Sequence, residues 1–392
     1  MSIGDFQIAL VHDWLTGMRG GEKCLEVLCE FFPEATLFTI YHDHGAMSPI
    51  IEGMKIRTSW IERLPFARPY FRAYLPFFPA AIENFDLSAY QLIISTSHCV
   101  AKGVKTPHGS LHLSYIHTPM RYIWEMYRHY LGSARNPLKR LFGPVLASRL
   151  RTWDVASSDR VDEFIANSEN VRKRIGKHYS RDATVIHPPV DTDFYHPTEN
   201  QGDYYLIVTA LVPYKAVDIA VHAFNSLGRK LIIVGDGPEC NHLKQIANAN
   251  IEFLPWQNEE SLRNLYSGCQ ALIFPGEEDF GIVPLEAQSC GRPVVAYGRG
   301  GVLETVIPLN QQSRTADKEP TGVFFHHPNS ESLAEAVREL DGFDFKTEAI
   351  RRHALQFRRS VFVRKMADFI NASLRKKFGN SEDIPFIKLT DE

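Results

Sequence analysis

Two carboxylates, Glu278 and Glu286, stand eight positions apart in the stretch EEDFGIVPLE. An ionised carboxylate can accept two charge-assisted hydrogen bonds from a pair of neighbouring hydroxyls. The pair therefore suits a ligand with hydroxyl pairs at its two ends, and Gly281 would let the backbone approach that ligand without a Cβ. The plainer alternative is a solvated loop charge at Glu278 and, at Glu286, a charge complementing the dipole of a helix over 283–290.

Other residues carry chemistry of the same kind. Lys215 follows the apolar run YYLIVTAL and opens a helical pattern, where unpaired N–H groups and an ammonium can together hold a diphosphate. His117 in SYIHTP ends a strand-like run ahead of a proline, so its imidazole could reach a hydroxyl, although a lone histidine there is more often structural. His98 in STSHCV stays open between structure and acceptor binding. Gly20 and Gly21 in GMRGGEK would let a loop and helix terminus come close to a phosphate or acceptor. The DTD at 191–193 reads as a turn, and no H-E-x-x-H or Cys/His cluster appears, so chemistry without a metal or other cofactor is expected. The lack of a G-x-S-x-G elbow, a Walker A loop and an early G-x-G-x-x-G argues against hydrolase, NTPase and dehydrogenase chemistry.

These residues need a scaffold, and the apolar patterning supplies one. FQIALVHDW, a glycine-rich turn and a helical pattern bearing Leu25, Leu28 and Cys29 form the opening of a doubly wound α/β domain. TLFTIY, YQLIISTS, LHLSYIH and EFIANS follow, apolar on both faces as a covered parallel sheet requires. The proline-rich stretch 187–203 lacks periodicity and reads as a linker. Five further runs, YYLIVTAL, KLIIVGDG, NIEFLPW, ALIFPG and PVVAYG, alternate with amphipathic segments at 215–228, 238–249, 259–268 and 283–290. Two Rossmann-like doubly wound domains facing a cleft are the expectation, with function in the loops after the strands. Their ranges are 1–195 and 196–370, with 371–392 packing back toward the first.

With 392 residues, the chain has room for two domains, and 44% hydrophobic residues suffice for sizeable cores. A net charge of −3 provides no global attraction to nucleic acid. Six scattered cysteines without a C-x-x-C pair read as reduced thiols. No basic start with an apolar core marks a signal peptide, and no run reaches the roughly 20 apolar residues of a membrane span, so a cytoplasmic location is expected.

GEEDFGIVPLEAQSCGRPVVAYGRGGVLETV resembles the donor-binding segment of retaining GT-B glycosyltransferases of family 4, with Glu278 and Glu286 at the ends of that family's E-x7-E motif. LVPYKAVDIAVHAF, LIIVGDGPE, FIANSENVRKRI, IHTPMRYIWE and GGEK continue the resemblance along nearly the whole chain. It implies that Glu286 binds the nucleotide ribose, that Glu278 contacts the donor sugar and that His117 touches the transferred sugar. It also implies that the backbone of Phe280, Gly281 and Ile282 lies along sugar and diphosphate, that Gly20 and Gly21 approach from the other domain, and that Lys215 stabilises the leaving group. The turn at Trp256 and Gln257 would meet the nucleobase, and GDGPE would use its glycines for geometry. One departure stands out: Ala210 occupies the place of the usual arginine, in an ALVPYK form that resembles a bacterial polysaccharide mannosyltransferase branch.

The function implied is retaining transfer of a sugar, foremost mannose from GDP-mannose, onto a saccharide or polyprenyl-diphosphate-linked acceptor in surface-polysaccharide synthesis. A UDP-sugar transferase of the same fold and a non-catalytic sugar-nucleotide-binding protein are the alternatives. Two basic, aromatic stretches, 56–79 and 135–151, fit either core helices or peripheral docking on the inner membrane face through Arg68, Arg72, Lys139 and Arg140.

Overall fold

The computed structural model describes residues 6–124, 137–199, 202–309, 319–380 and 383–389. The chain divides into two compact units, one of Met1–Pro188 with Phe362–Glu392 and the other of Pro189–Val361.

Unit 1 is built on β1 (Ile8–His12), β2 (Thr36–Thr39), β3 (Lys55–Thr58), β4 (Leu92–Ser97), β5 (Leu111–Ile116), β6 (Glu163–Ala166) and β7 (Ala183–Val185). All pair in parallel, in the order β3-β2-β1-β4-β5-β6-β7. Alternation along each strand feeds a core on either face. Leu10 joins Leu25 and Leu28 of the helix Gly20–Phe31, while Ala9 and Val11 face the opposite cluster with Ile93 and Phe78. The helix Arg359–Phe378 sets Phe362, Met366, Ile370 and Leu374 into the first of these cores, a stripe at four-residue spacing along one helix face. Truncating one such residue to alanine would cost about 2–5 kcal/mol through lost burial and the cavity left behind.

Unit 2 repeats the plan with β8 (Tyr205–Val208), β9 (Leu231–Val234), β10 (Ile251–Leu254), β11 (Leu272–Phe274), β12 (Val294–Tyr297) and β13 (Gly322–Phe325). These are again all parallel, ordered β10-β9-β8-β11-β12-β13. Tyr205 and Ile207 face one core and Leu206 the other.

In each sheet the chain first winds outward in one direction and then returns to the other side of its first strand. The reversal falls between β1 and β4 in unit 1 and between β8 and β11 in unit 2. Ligands of doubly wound sheets bind beyond the strand carboxyl ends at such reversals.

Strands β3, β7 and β13 go beyond the runs picked out by sequence. β3 reads KIRT and lies at a sheet edge with alternating exposure, so its apolar content is too low to announce it, and β7 has only three residues. The stretch 187–203 is not a free linker along its length. Past Pro189 the Asp191 carboxylate accepts from Phe194 N at 3.1 Å and closes the DTD turn. Arg351 donates to the carbonyls of Thr192 at 3.2 Å and Tyr195 at 3.0 Å, tying the segment into unit 2. Among the described residues no helix is long and apolar enough to cross a membrane.

Candidate functional site

In unit 2 the reversal between β8 and β11 brings together the two loops that carry the strongest sequence signals. Val212 leads into the short 3-10 turn Pro213–Lys215, and Ala216 takes a left-handed φ of +52° before the helix Val217–Leu227 begins. Lys215 therefore precedes the helix instead of opening it, a difference from the pattern-based range that follows from Pro213 and the kink at Ala216. The Lys215 ammonium pairs directly with Glu278 Oε1, the two side chains being 14% and 26% exposed. Gly276 makes that approach possible, because a Cβ there would stand 2.9 Å from the Lys215 Cα.

The loop bearing Glu278 is held from behind. Gly301 N donates to the Glu278 carbonyl at 2.8 Å, and Cβ atoms at Gly300 and Gly301 would fall 2.3 Å from the carbonyl oxygens of Glu278 and Asp279. Gly281 caps the helix Ile282–Ser289 with φ +91°, a conformation that favours glycine. The Phe280 side chain is buried with Val190, Leu285 and Phe357, so this residue's backbone is what remains to meet a ligand.

Glu286 lies in the second turn of that helix, whose first turn contains no acidic residue, so it is not a helix-start charge. Its Oε2 accepts from the Tyr266 hydroxyl at 2.8 Å. Burial first, and then the charge of Glu286, push the Tyr266 hydroxyl well above its ordinary pKa, which keeps it a donor to the carboxylate. Trp256, beyond β10, is 77% exposed. The GDGPE glycines are packing glycines: Cβ atoms at Gly235 and Gly237 would lie 1.9 and 2.3 Å from the carbonyls of Thr209 and Leu211.

In unit 1 the reversal gathers histidines. His12 ends β1 opposite Thr96, and this register places its Nδ1 2.6 Å from the Thr96 hydroxyl. Its Nε2 lies 3.6 Å from Glu22, a buried carboxylate that also accepts from Arg19 N at 3.1 Å at the start of the helix Gly20–Phe31. Burial pushes the pKa of Glu22 up, but the His12 contact and the charges of His12 and His98 outweigh it and leave it lowered.

His117 follows β5, and its ring lies over Gly21, where a Cβ would stand 3.4 Å from Nε2. That Nε2 is buried without a hydrogen-bond partner among the described residues. Burial, helped by neighbouring His98 and His12, lowers its pKa from 6.5 to about 3, so the ring is neutral near pH 7. Gly20, Gly21 and His117 therefore form one wall within unit 1, while Lys215, Glu278, Phe280–Ile282 and Glu286 lie in unit 2.

Sequence reasoning did not single out Gly276, Gly300, Gly301 and Tyr266, nor His12, Asp13 and Glu22. The glycines were legible only as turn residues, and the buried polar groups His12 and Asp13 find their partners Thr96 and His98 more than eighty residues away. Among the described residues one group able to offer metal ligands, His42, His44 and Glu52, also went unforeseen. Glu52 Oε1 there accepts from Gly45 N at 2.8 Å and Met47 N at 3.2 Å, with His42 Nε2 at 3.2 Å, an arrangement that ties a loop down. The six cysteines are free thiols.

Two parallel Rossmann-like units in one chain define the GT-B class of fold. Sucrose-phosphate synthase (tll1590) from Thermosynechococcus elongatus is similar at a TM-score of 0.70 over 96% of this chain and 100% of that one, with 16% identity. Anabaena Alr3699/HepE in complex with UDP-glucose is similar at 0.66 over 93% and 99%, also with 16% identity. More specifically, residues 192–341 match the family described as glycosyl transferases group 1. The D-inositol 3-phosphate glycosyltransferase of Mycobacterium leprae (strain Br4923) is 31% identical over 250 residues, 57% of this chain and 56% of that protein. The chain thus spans little more than half the length of this relative.

Proposed function

We propose that the chain is a nucleotide-sugar-dependent glycosyltransferase that retains anomeric configuration and moves mannose from GDP-mannose onto a lipid-linked saccharide during surface-polysaccharide synthesis. The observation that carries this reading is the Lys215–Glu278 pair at the reversal of the unit 2 sheet, with Glu286 one turn into the helix that follows the Glu278 loop. Glu286 takes the ribose hydroxyls and Glu278 those of the sugar, each by charge-assisted hydrogen bonds. Lys215 leaves Glu278 for the diphosphate, so donor binding exchanges one ion pair for two better-matched contacts.

Ala210 provides no guanidinium, and the diphosphate relies on Lys215 with the amides that open the helices Val217–Leu227 and Ile282–Ser289. The backbone of Phe280, Gly281 and Ile282 follows sugar and diphosphate, and exposed Trp256 offers a face to the base. His117, neutral and with an Nε2 that has no partner among the described residues, accepts from a hydroxyl of the transferred sugar, and Gly21 has no side chain to crowd its ring. Stabilising the departing diphosphate and positioning the acceptor hydroxyl on the same face supply the catalysis, with no metal or other cofactor.

A panel of GDP-mannose, UDP-glucose and other nucleotide sugars, with polyprenyl-diphosphate-linked saccharides, tests the reading through product analysis. Transfer from UDP-glucose alone would reassign the donor. Binding without turnover would make the chain a sugar-nucleotide-binding protein, and failure of every nucleotide sugar to bind would sink the reading.

A lipid-linked acceptor also gives a role to the 56–79 stretch. Past the end of β3 it folds as short helical turns that bury Phe71 and Phe78 but leave Phe66 76%, Tyr70 64% and Phe77 52% exposed, with Arg68 beside them. Aromatic side chains with arginine suit an anionic headgroup layer, which would hold the enzyme peripherally on the inner face of the cytoplasmic membrane. In the second stretch, residues 135 and 136 and the side chains of Lys139 and Arg140 lie outside what the structure describes. Flotation with anionic vesicles should recover the wild type and lose a Phe66→Ser/Tyr70→Ser/Phe77→Ser variant; equal recovery of both would refute the docking face.

A further inference from the structure

His98 follows β4 and Asp13 follows β1, so the two flank the reversal of the unit 1 sheet, where a ligand is expected. Their counterparts in unit 2 are the loops of Lys215 and Glu278. Asp13 is fully buried and accepts four backbone amides, those of His98 and Cys99 at 2.7 and 2.8 Å on Oδ2 and of Val100 and Ala101 at 2.6 and 2.8 Å on Oδ1. All four amides come from the loop that carries His98, which fixes that loop to the end of β1. The His98 Nδ1 lies 3.2 Å from the same Oδ2, and the Trp14 ring stands edge to face with the imidazole at 4.3 Å between centroids.

Held on two sides, the ring still leaves 23% of the side chain exposed. The negative charge of the carboxylate 3.2 Å from Nδ1 favours the tautomer with the proton on that nitrogen and leaves Nε2, on the far edge of the ring, as a lone-pair acceptor. The His117 ring lies 6.5 Å away, its own Nε2 without a partner among the described residues. Two neutral imidazole acceptors at the ends of adjacent strands do little for a diphosphate, but they match a saccharide that presents several hydroxyls.

We propose that His98 is a substrate-contacting residue of unit 1, its Nε2 accepting a hydrogen bond from a hydroxyl of the acceptor saccharide, with Asp13 as the residue that positions it. This assignment rests on the glycosyl-transfer reading above and names the side chain that meets the second substrate. Burial outweighs Asp13 and lowers the His98 pKa, in keeping with a neutral ring.

The test pairs kinetics with a measurement that needs no donor. His98→Ala should keep the wild-type affinity for the donor nucleotide sugar and the wild-type melting temperature to within a few degrees. It should raise the KM for the saccharide acceptor by about tenfold, the loss of one hydrogen bond, and His98→Gln should recover part of it through its amide oxygen. An unchanged acceptor KM, or a loss that follows the melting temperature in both variants, overturns the proposal. Imidazole ¹⁵N spectra of the wild type should show His98 protonated on Nδ1 and not on Nε2, and the Nε2 resonance should move on titration with methyl α-mannoside. The opposite tautomer, or no movement, overturns the proposal even if the transfer reading stands. A chain that binds no nucleotide sugar but passes the ¹⁵N test would refute that reading and leave His98 as a saccharide contact.

Discussion

Removing the Lys215 ammonium separates a catalytic cation from an ordinary ion pair, because the two roles predict different magnitudes. With Lys215→Ala, Glu278 loses its partner but is 26% exposed, so water can take up much of the lost interaction. The stability cost should stay near the 0.2–1 kcal/mol measured for accessible pairs, well short of the roughly 3–5 kcal/mol for stranding a fully buried charge. If the ammonium also holds the departing diphosphate, its loss should lower kcat by about 10²–10³-fold, equivalent to about 2.7–4 kcal/mol. Lys215→Arg keeps the charge but not the compact point geometry and should fall between the two. The assay is turnover of GDP-mannose with a lipid-linked saccharide, beside urea unfolding of each variant and of Lys215→Ala/Glu278→Ala. A kcat within about twofold of wild type in Lys215→Ala would refute the cation's role; a stability loss above about 3 kcal/mol would show that the pair is structural.

Lys102 is a contrasting case, fully buried, with its Nζ 3.0 Å from Asp154 Oδ1 and 2.7 Å from the Ser157 hydroxyl while Asp154 Oδ2 accepts from Trp124 and Tyr179. Lys102→Met should destabilise by about 3–5 kcal/mol in urea unfolding, and Lys102→Met/Asp154→Leu should recover part of it. Burial lowers the pKa of His112 from 6.5 to about 4 and that of His117 to about 3. Between about pH 6.5 and those values the unfolded chain binds more protons, so stability is full above the window and drops as pH falls through it. His117→Gln should flatten that slope by up to about 1.4 kcal/mol per pH unit, read from urea midpoints between about pH 7 and 4. Gly301→Ala places a Cβ 2.3 Å from Asp279 O and Phe280 Cα, so it should shift the Glu278 loop and raise the donor KM. Gly176→Ala, inside the helix Glu169–Tyr179 with nothing nearer than 3.9 Å, should instead stabilise by about 0.5–1 kcal/mol in thermal unfolding.

How far each half of the candidate site could be read from sequence follows from how its residues are distributed along the chain. In unit 2, Glu278, Gly281 and Glu286 come from one loop and the helix it enters, so a single window holds their chemistry and spacing. Lys215 could be placed by the strand before it, but its pairing with Glu278 could not, because that depends on β8 and β11 being sheet neighbours. Most strands buried on both faces were legible, though short β13 was not, and the signal was faint where an edge lets lysine and arginine alternate with apolar residues, as in β3. Unit 1 offers no such window. Asp13 and Glu22 lie at the end of β1 and in the helix after it, His98 and His117 at strand ends much later in the chain, and the two groups meet only because the chain reverses beside β1. Asp13 in particular carries no local signal: its four amide donors lie about 85 residues away, and a buried carboxylate reads in sequence like any exposed one. The carboxylate half of the candidate site thus lies in a contiguous motif and the imidazole half in the topology, which is why Glu278 could be proposed from ten letters while choosing between a structural and an acceptor-binding role for His98 required the order of the strands.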